Sequence, residues 1–452
     1  MRMGRWSDRI IVGIGIVAIA VNAILQFLII PTVASRFGVS YNNGHITDGY
    51  DLLANSLATG KGYRFYPDTA STLMREPGYP VVLAGLILVF GTSFTVVKIF
   101  NMILTILTAW VVIKIAGEIV PEPLAGDRLL LLAPPLLFLF HPGVLMAEDR
   151  GGVEMLFTLL ISLFLLSVLR AIKSNRVRDF AVGGLILGMT VAVRSTPMLF
   201  PLFLLGYLLW FERRRISIAG AGIRVAVLIA AMFAVLSPWV IRNYSLTGKF
   251  VPSASVFGVS AQAGQYINTH LFEGRPFWML DREASRERDK VAQRLGMPFE
   301  DGAEGYYQTF YKTEDELKFS SYLFGDVVKT YKASPMLALR SIGQNIFNFW
   351  FAGKTWTATA LNAVVQIPYL LLALLGAIPL LKSEDGRKVG LVLLFAGYVF
   401  ALHVAVLAQA RYSIPLIPFI AILAAVGIVT VRGKVTGTSR TTVAGTARVV
   451  AN

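Results

Sequence analysis

Residues 10–33 read IIVGIGIVAIAVNAILQFLIIPTV, a long and largely apolar run near the start of the chain. About 20 apolar residues suffice for a helix to cross the hydrocarbon core of a bilayer. Arg2, Arg5 and Arg9 precede this run, as basic residues precede a signal peptide. The run is too long for a signal peptide, however, and no clean small-x-small cleavage site follows it. We therefore expect a retained first membrane helix.

The composition extends this expectation to the whole chain of 452 residues. Hydrophobic residues make up 55% and charged residues 15%, and the mean hydropathy is +0.63. Soluble domains have about 45–50% apolar and about 25% charged residues. No strand-period alternation suggests a barrel, so we predict an all-α polytopic membrane protein. The absence of cysteine excludes disulfides, thiolate nucleophiles and cysteine-ligated metals.

Charge separates the apolar runs into membrane crossings. Short basic loops are expected in the cytoplasm, and the formal net charge of +15 fits such loops near anionic lipids better than nucleic-acid binding. Alternating crossings between the basic clusters predict about ten spans with both chain ends inside. The run 80–91 is too short to cross and is expected in the interface. The predicted spans are 10–33, 94–117, 129–147, 153–170, 179–193, 196–211, 222–241, 357–381, 389–408 and 413–431.

The same topology predicts large first and fourth external loops. Within the second of these loops, the charged stretch Asp281–Arg294 predicts a solvated amphipathic helix, and the run 335–352 predicts an interfacial one. The predicted organisation is a catalytic transmembrane module at 1–241 with an external loop at 34–93, an external region at 242–356, transmembrane helices at 357–431 and a disordered basic cytoplasmic tail at 432–452.

The predicted external side collects most of the charged residues that lie close to the membrane. This placement follows from loop charge alone, so it is independent evidence for one external site at the membrane surface. The residues concerned are Asp48, Glu148, Asp149, Arg194, Arg242 and Arg411.

Several acidic residues could carry chemistry there. Asp48 is either a helix N-terminal acid or a general base for an acceptor hydroxyl or amine. Glu148 and Asp149 are adjacent, so at most one is expected to face Asp48, and either could be a simple loop charge. Glu154 opens the next span, where a carboxylate is costly unless it faces a polar cavity.

A divalent cation is also possible at this site. Separated carboxylates can hold such a cation through oxygen ligands, and His45 could join them or could be an ordinary polar loop residue. The candidate ligands are His45, Asp48, Glu148 and Asp149, and the sequence does not decide whether a metal is used.

Basic residues near the same surface predict a phosphate site. The planar guanidinium group binds phosphate oxygens in a bidentate way, although each arginine alone could snorkel to lipid headgroups instead. The candidate phosphate-binding residues are Arg75, Arg194, Arg242, Arg411 and Tyr412. The candidate substrate cavity comprises His45, Tyr50, Lys61 and Glu154.

Five segments together resemble the GT-C glycosyltransferases, the membrane class that includes protein O-mannosyltransferases, aminoarabinose transferases of lipid A and oligosaccharyltransferases. The resemblance covers most of residues 1–431. The segments are DGYDLLANSLATGKGY at 48–63, REPGYP at 75–80, FGTS at 90–93, PWVIRNYSLTGKF at 238–250 and ARYSIP at 410–415.

The resemblance implies transfer of a sugar from a polyprenyl-phosphate-linked donor, with inversion, on the external face of the plasma (inner) membrane. The acceptor would be a glycan, a lipid or a protein. Asp48 falls at the position of the catalytic acid in the first loop, although Gly49 replaces the glutamate that follows this acid in many relatives. Glu148 or Asp149 matches the second acid, and Arg411 matches a late arginine that contacts the donor phosphate.

Two other functions stay open from the sequence. One is a lipid-linked glycan flippase or another transporter, although the notable charges cluster at one face and no convincing inverted repeat is present. The other is a non-catalytic lipid-binding membrane subunit. No phosphate-binding loop of nucleotide-driven proteins and no zinc-binding helix motif occurs in the sequence.

Overall fold

The computed structural model describes residues 5–32, 47–121, 128–271, 274–301 and 308–435, and these are almost entirely helical. The helices, numbered in chain order, are α1 (Arg5–Ile24), α2 (Tyr50–Ala58), α3 (Gly78–Phe90), α4 (Phe94–Ile119), α5 (Arg128–Leu139), α6 (Pro142–Asp149), α7 (Glu154–Ser174), α8 (Val177–Val193), α9 (Phe200–Phe211), α10 (Ile218–Thr247), α11 (Phe257–His270), α12 (Phe277–Arg294), α13 (Thr313–Ala333), α14 (Pro335–Phe351), α15 (Trp356–Leu381), α16 (Gly386–Val406) and α17 (Ile417–Val435). Strands β1 (Phe299–Asp301) and β2 (Gln308–Phe310) pair antiparallel, with Phe299 opposite Phe310.

The all-α polytopic architecture is confirmed, but the count of about ten spans is not. Seven helices of the described ranges are long and apolar enough to cross a membrane, and α5 with α6 would make an eighth span bent by 46°. The predicted spans 179–193 and 196–211 correspond to α8 and to a short helical segment at Thr196–Phe211, which are too short to be counted. The run 80–91 corresponds to α3, another short apolar helix.

Helices α7 and α17 form the centre of the bundle. In each of them, more than 70% of the most apolar segment is buried against other helices. Glycine allows α17 to approach α15 closely, because a Cβ atom at Gly376 or Gly427 would collide with the backbone carbonyl of Leu423 or Leu372. Such small-residue contacts are typical of helix packing in membranes.

The bundle has two chemically distinct ends. Helix α7 begins at Glu154, which lies near Arg411 and Asp48, and we call this the Asp48 end. The opposite end of the bundle is where α7 and α9 end and where α16 begins. There, Tyr207 on α9 donates a hydrogen bond to the carbonyl of Arg387 on α16. The site described below is therefore confined to one end of the helices.

Helix α14 has the reverse of the polarity seen in helices of soluble proteins. Its buried face carries Gln344, Asn345 and Asn348, whereas Leu339 and Ile346 are exposed. Asn345 donates a hydrogen bond to the carbonyl of Val404 over 3.0 Å and accepts one from Asn268 over 3.0 Å. This arrangement fits the interfacial helix expected at 335–352, because an outward apolar face favours contact with lipid.

Candidate active site

Asp48 adopts an unusual backbone conformation. Its φ is 68° and that of Gly49 is 72°. Positive φ is costly for residues with a Cβ atom, least so for Asp and Asn, and free of steric cost for glycine. Two successive left-handed residues place Asp48 immediately before α2, and glycine adopts this conformation at position 49 without steric cost.

Arginines from distant parts of the chain surround the Asp48 carboxylate. Arg411 donates a hydrogen bond from Nη1 to Oδ2 over 2.9 Å, and Arg75 Nη2 lies 3.8 Å from Oδ1. Burial alone would raise the pKa of Asp48, but the charges of Arg411, Arg75 and Arg194 outweigh it and lower the pKa to about 2. Asp48 is therefore ionised and is held by cations.

The ring of Tyr412 organises two of these arginines. The guanidinium carbon of Arg194 lies 4.6 Å from the ring centre, and that of Arg411 lies 5.3 Å from it. His403 stacks on Tyr412 with 4.6 Å between ring centres. Cation–π contacts of this kind fix the direction of a guanidinium group without using its N–H donors. Tyr412 thus serves as a platform beside the carboxylate.

Glu154 is the second carboxylate at this centre. Its Oε1 lies 4.0 Å from Arg411 Nη1, the same atom that binds Asp48, and its side chain is 8% exposed. The side chain folds back over Gly152, where an added Cβ atom would collide with Oε2. A glycine at 152 therefore allows Glu154 to reach the arginines. We call Asp48, Arg75, Arg194, Arg411 and Glu154 the Asp48 site.

The motif at residues 75–80 ties the parts of this site together. Glu76 accepts a hydrogen bond from the backbone N–H of Ser195 over 3.0 Å, next to Arg194. Tyr79 donates one to the carbonyl of Gly151 over 2.6 Å and packs edge-on against Tyr50, with 5.2 Å between ring centres. The segment is thus a structural hub that holds Arg75 against Tyr50 and Asp48.

The side chains of Glu148 and Asp149 belong to a separate buried cluster between α1, α4 and α6. Asp149 pairs with Lys98 over 2.5 Å. Glu148 accepts hydrogen bonds from Gln26 over 2.6 Å and from Asn22 over 3.3 Å. We call these five residues the Lys98 cluster. We predicted from the sequence that either Glu148 or Asp149 is the second acid beside Asp48. In the structure, Glu154 is the acid that shares Arg411 with Asp48.

Arg242 also differs from its sequence-based interpretation. Its guanidinium stacks on Trp239 at 4.4 Å and donates to the carbonyl of Thr72 over 3.1 Å and to Asn243 over 2.9 Å. Thr72 in turn donates to the buried carboxylate of Glu316 over 2.8 Å. Arg242 therefore fastens the first loop to α10, because its outer nitrogens are occupied by protein acceptors.

Two charged residues near the site were not singled out from the sequence. Burial lowers the pKa of Arg150, on which the charges of Glu154, Asp149 and Asp48 also act. Burial raises the pKa of Asp281 on α12, which lies within electrostatic range of Arg411 and Asp48. We predicted from the sequence that residues 281–294 form a solvated helix. In the structure, however, Arg288 on this helix is only 2% exposed. Ala284 and Ser285, which are small residues within this charged sequence and are buried, could have indicated that one face of the helix packs inward.

Two further candidates were expected in the substrate cavity. His45 lies outside the described residues, and Lys61 is exposed in the turn after α2. In the part of the chain that the structure describes, no three acidic or histidine side chains are grouped so as to hold a metal ion. Asp48, Glu148 and Asp149 thus do not form one ligand set there.

The helical fold is similar to that of solved membrane enzymes. The chain aligns over 96% of its length with the archaeal oligosaccharyltransferase AglB from Archaeoglobus fulgidus, solved with an inhibitory peptide and a dolichol-phosphate, at a TM-score of 0.56 and 12% identity. A second structure of the Archaeoglobus fulgidus oligosaccharyltransferase, tethered to an acceptor peptide, gives 95% coverage, a TM-score of 0.55 and 13% identity. The chain spans about half of those proteins, 52% and 50% respectively. The chain therefore shares the fold of these oligosaccharyltransferases, which is the GT-C fold.

The sequence gives a narrower match within that class. Residues 75–241, less than half of the chain, match the family model described as dolichyl-phosphate-mannose-protein mannosyltransferase. No curated protein matches the chain by sequence. The matched region begins at Arg75 and contains Glu154 and Arg194, but it excludes Asp48 and Arg411.

Proposed function

We propose that the protein is a membrane glycosyltransferase that transfers a sugar from a polyprenyl-phosphate-linked donor to an acceptor on the external face, with inversion. The observation that carries this proposal is the convergence of Arg75, Arg194 and Arg411 on Asp48. Three cations against two carboxylates leave room for one further anion, and guanidinium groups match phosphate oxygens in geometry. The GT-C fold and the family match support the same class of reaction.

The donor phosphate would bind to the arginines and become the leaving group. Negative charge grows on the phosphate as the bond to the sugar breaks, and fixed guanidinium groups stabilise that charge. The acceptor attacks the anomeric carbon from the opposite face, so the configuration at this carbon inverts. The proton of an acceptor hydroxyl must leave in the same step, and Asp48 is the proposed general base.

The ion pair between Asp48 and Arg411 bears on this role. A carboxylate with a pKa of about 2 is ionised but is a weak base. When a donor phosphate engages Arg411, that guanidinium stabilises Asp48 less, and the pKa of Asp48 rises. Donor binding would thus convert a structural ion pair into a base, which couples catalysis to the presence of substrate.

Glu154 is the proposed second acid of the site. It shares Arg411 Nη1 with Asp48, so it can hold the guanidinium in place when Asp48 is released. Glu148 and Asp149, which the sequence suggested for this role, have partners in the Lys98 cluster. The Asp48 site therefore contains its own pair of carboxylates without them.

The test is a product assay in vesicles with a panel of polyprenyl-phosphate sugars, read by the mass of the glycosylated acceptor. Asp48→Asn keeps the size of the side chain but cannot accept a proton, so turnover should fall about 10²–10⁴-fold while donor binding is retained. Asp51→Asn, three residues along the same loop and helix, is the matched control and should cost far less.

Normal turnover in Asp48→Asn would remove the proposed base. Movement of the intact lipid-linked sugar across the vesicle membrane without a new product would instead favour a flippase. Binding of the donor with neither transfer nor transport would favour a non-catalytic lipid-binding subunit.

A further inference from the structure

A second charged cavity lies at the end of the bundle opposite Asp48. It lies between the last turn of α7, the end of α9 and the first turn of α16. Lys173, Arg215 and Lys388 line it together with Glu212, and its apolar lining consists of Leu169, Ile172, Tyr207 and Leu391. An apolar floor with a basic rim is the chemistry of a lipid headgroup pocket.

The length of α7 places this cavity at a membrane surface. Glu154 and Lys173 are 19 residues apart on one continuous helix, which corresponds to about 28 Å at the α-helical rise per residue. The hydrocarbon core of a bilayer is about 30 Å thick. If Glu154 lies at one headgroup layer, Lys173 lies at the other, which by its basic loops is the cytoplasmic one.

The cations of the rim can accept another anion. Each already has a carboxylate nearby, at 3.3 Å for Lys173 to Glu118, 3.7 Å for Arg215 to Glu212 and 2.6 Å for Lys388 to Asp385. The side chains of these cations are 66%, 55% and 32% exposed. Because these cations reach solvent, a phosphate can bind to them while their carboxylate partners stay in place.

Glu212 supplies a second, independent requirement for the ligand. Its side chain is 6% exposed, and its Oε2 lies 3.7 Å from Arg215 Nη1, which is too far for a hydrogen bond. This buried oxygen accepts no hydrogen bond from the described residues. A buried carboxylate oxygen needs a donor, and a bare phosphate would repel it. The occupant must therefore combine an anionic phosphate with a hydrogen-bond donor a few atoms away.

We propose that this cavity binds the phosphoglycerol headgroup of an anionic phospholipid. The phosphate would lie against Arg215, Lys388 and Lys173, and a glycerol hydroxyl would donate to Glu212. The acyl chains would leave the cavity beside Trp210 and Phe211, which are 72% and 45% exposed at the end of α9. Because α7 and α16 also carry Glu154 and His403 at the other end, the lipid would brace the two helices that support the Asp48 site.

The test uses the full chain, purified in detergent and stripped of lipid, with dioleoyl phosphatidylglycerol, phosphatidic acid or phosphatidylcholine added. Native mass spectrometry measures the retained lipid. Wild type should retain phosphatidylglycerol in preference to both others. Arg215→Gln with Lys388→Gln should weaken this binding by about fivefold for each cation, whereas Arg213→Gln with Arg214→Gln should leave it unchanged.

The controls separate the pocket from diffuse charge. Arg213 and Arg214 are exposed in the same turn as Arg215 but do not line the cavity, so an equal loss in both double variants overturns the proposal. Glu212→Gln should reduce the preference for phosphatidylglycerol over phosphatidic acid, and an unchanged preference would overturn the assigned hydroxyl contact. Full displacement of the lipid by millimolar inorganic phosphate would show a free-anion site and overturn the lipid assignment.

Circular dichroism and melting temperature establish that each variant is folded. If the Arg215→Gln, Lys388→Gln protein does not fold, Lys173→Gln replaces it, because Lys173 is the most exposed of the three cations. Loss of binding in that single variant supports the proposal, and unchanged binding overturns it.

Discussion

The Asp48 site and the Lys98 cluster both hold charged side chains against the helix bundle, but they balance charge in different ways. In the Lys98 cluster, Asp149 and Lys98 are 10% and 6% exposed and pair with each other. In the Asp48 site, cations outnumber carboxylates, and Asp48 and Arg411 are 22% and 24% exposed. Removing one partner of a buried ion pair destabilises a fold, whereas a partly open site with more cations than carboxylates is suited to bind an anion.

The largest effect is expected where the Lys98 cluster is broken. Lys98→Met leaves the buried Asp149 carboxylate without its cation, and breaking a buried ion pair on one side costs about 3–5 kcal/mol. This is a large part of the stability of a typical domain. The melting temperature in detergent should therefore fall sharply, together with the yield of folded protein.

The double variant Lys98→Met, Asp149→Leu serves as the control for this effect. It removes both charges and should recover much of the lost stability. A Lys98→Met protein with the wild-type melting temperature would show that the cluster does not hold the fold, and it would return Asp149 to the list of candidate catalytic acids.

In the Asp48 site, the matching change should affect function more than stability. Arg411→Ala removes charge-assisted hydrogen bonds to the proposed donor phosphate, each worth about 1.5–3 kcal/mol. Donor affinity in a lipid-phosphate binding assay should fall about 10- to 100-fold, and the melting temperature should fall less than in Lys98→Met. Arg411→Lys should recover only part of this loss, because lysine lacks the planar fork.

Lys61→Ala is the control for non-specific attraction, since Lys61 is an exposed cation in the same loop as Arg75. Its removal should leave donor affinity unchanged. Equal losses in Lys61→Ala and Arg411→Ala would mean that the surface field, and not the Asp48 site, attracts the lipid phosphate.

A third expectation concerns how Glu154 reaches the arginines. A methyl group at residue 152 would collide with Glu154 Oε2, and such overpacking costs about 1–3 kcal/mol. Gly152→Ala should displace Glu154 and lower turnover about tenfold. Gly85→Ala on α3, where a Cβ atom meets nothing within 4 Å, should be silent. If Gly152→Ala lowers turnover as much in a Glu154→Gln background as in wild type, the effect does not pass through Glu154.

The sequence predicted the class of fold and the main charged residues for a clear physical reason. Charge is so costly inside a bilayer that charged residues mark the loops between membrane helices. Loop charge and the lengths of the apolar runs therefore predicted Asp48, Arg194 and Arg411 on the same side of the membrane. The structure indeed brings these three residues together with Arg75. Their roles in binding and catalysis stay predictions.

Hydropathy could not show in which direction a side chain points, or whether a short apolar helix crosses the membrane. Glu148 and Asp149 are adjacent in sequence, and only the structure shows that Glu148 contacts Gln26 and that Asp149 contacts Lys98. Asp281 belongs to a helix whose charged sequence suggested full solvation. The predicted spans at 179–193 and 196–211 were too short for length alone to establish that they cross.

The smallest expected effect sharpens the comparison, because it uses the one titrating group that the proposal assigns to catalysis. The pKa of Asp48 lies near 2, below its ordinary value of 3.8, so its ion pairs stabilise the fold above about pH 4 and that stabilisation is lost as the pH falls towards 2. The acid limb of kcat/KM reports the enzyme without substrate, and the acid limb of kcat reports the substrate complex. If donor phosphate takes Arg411 from Asp48, the acid limb of kcat should lie about one pH unit above that of kcat/KM. In Arg411→Lys the two acid limbs should move closer together. Lysine stabilises the Asp48 carboxylate less than arginine does, so the pKa of Asp48 rises less when the donor phosphate binds to this residue. Coincident limbs in wild type would mean that Asp48 keeps its arginine throughout turnover, and its role would then be to orient Arg411 instead of accepting a proton.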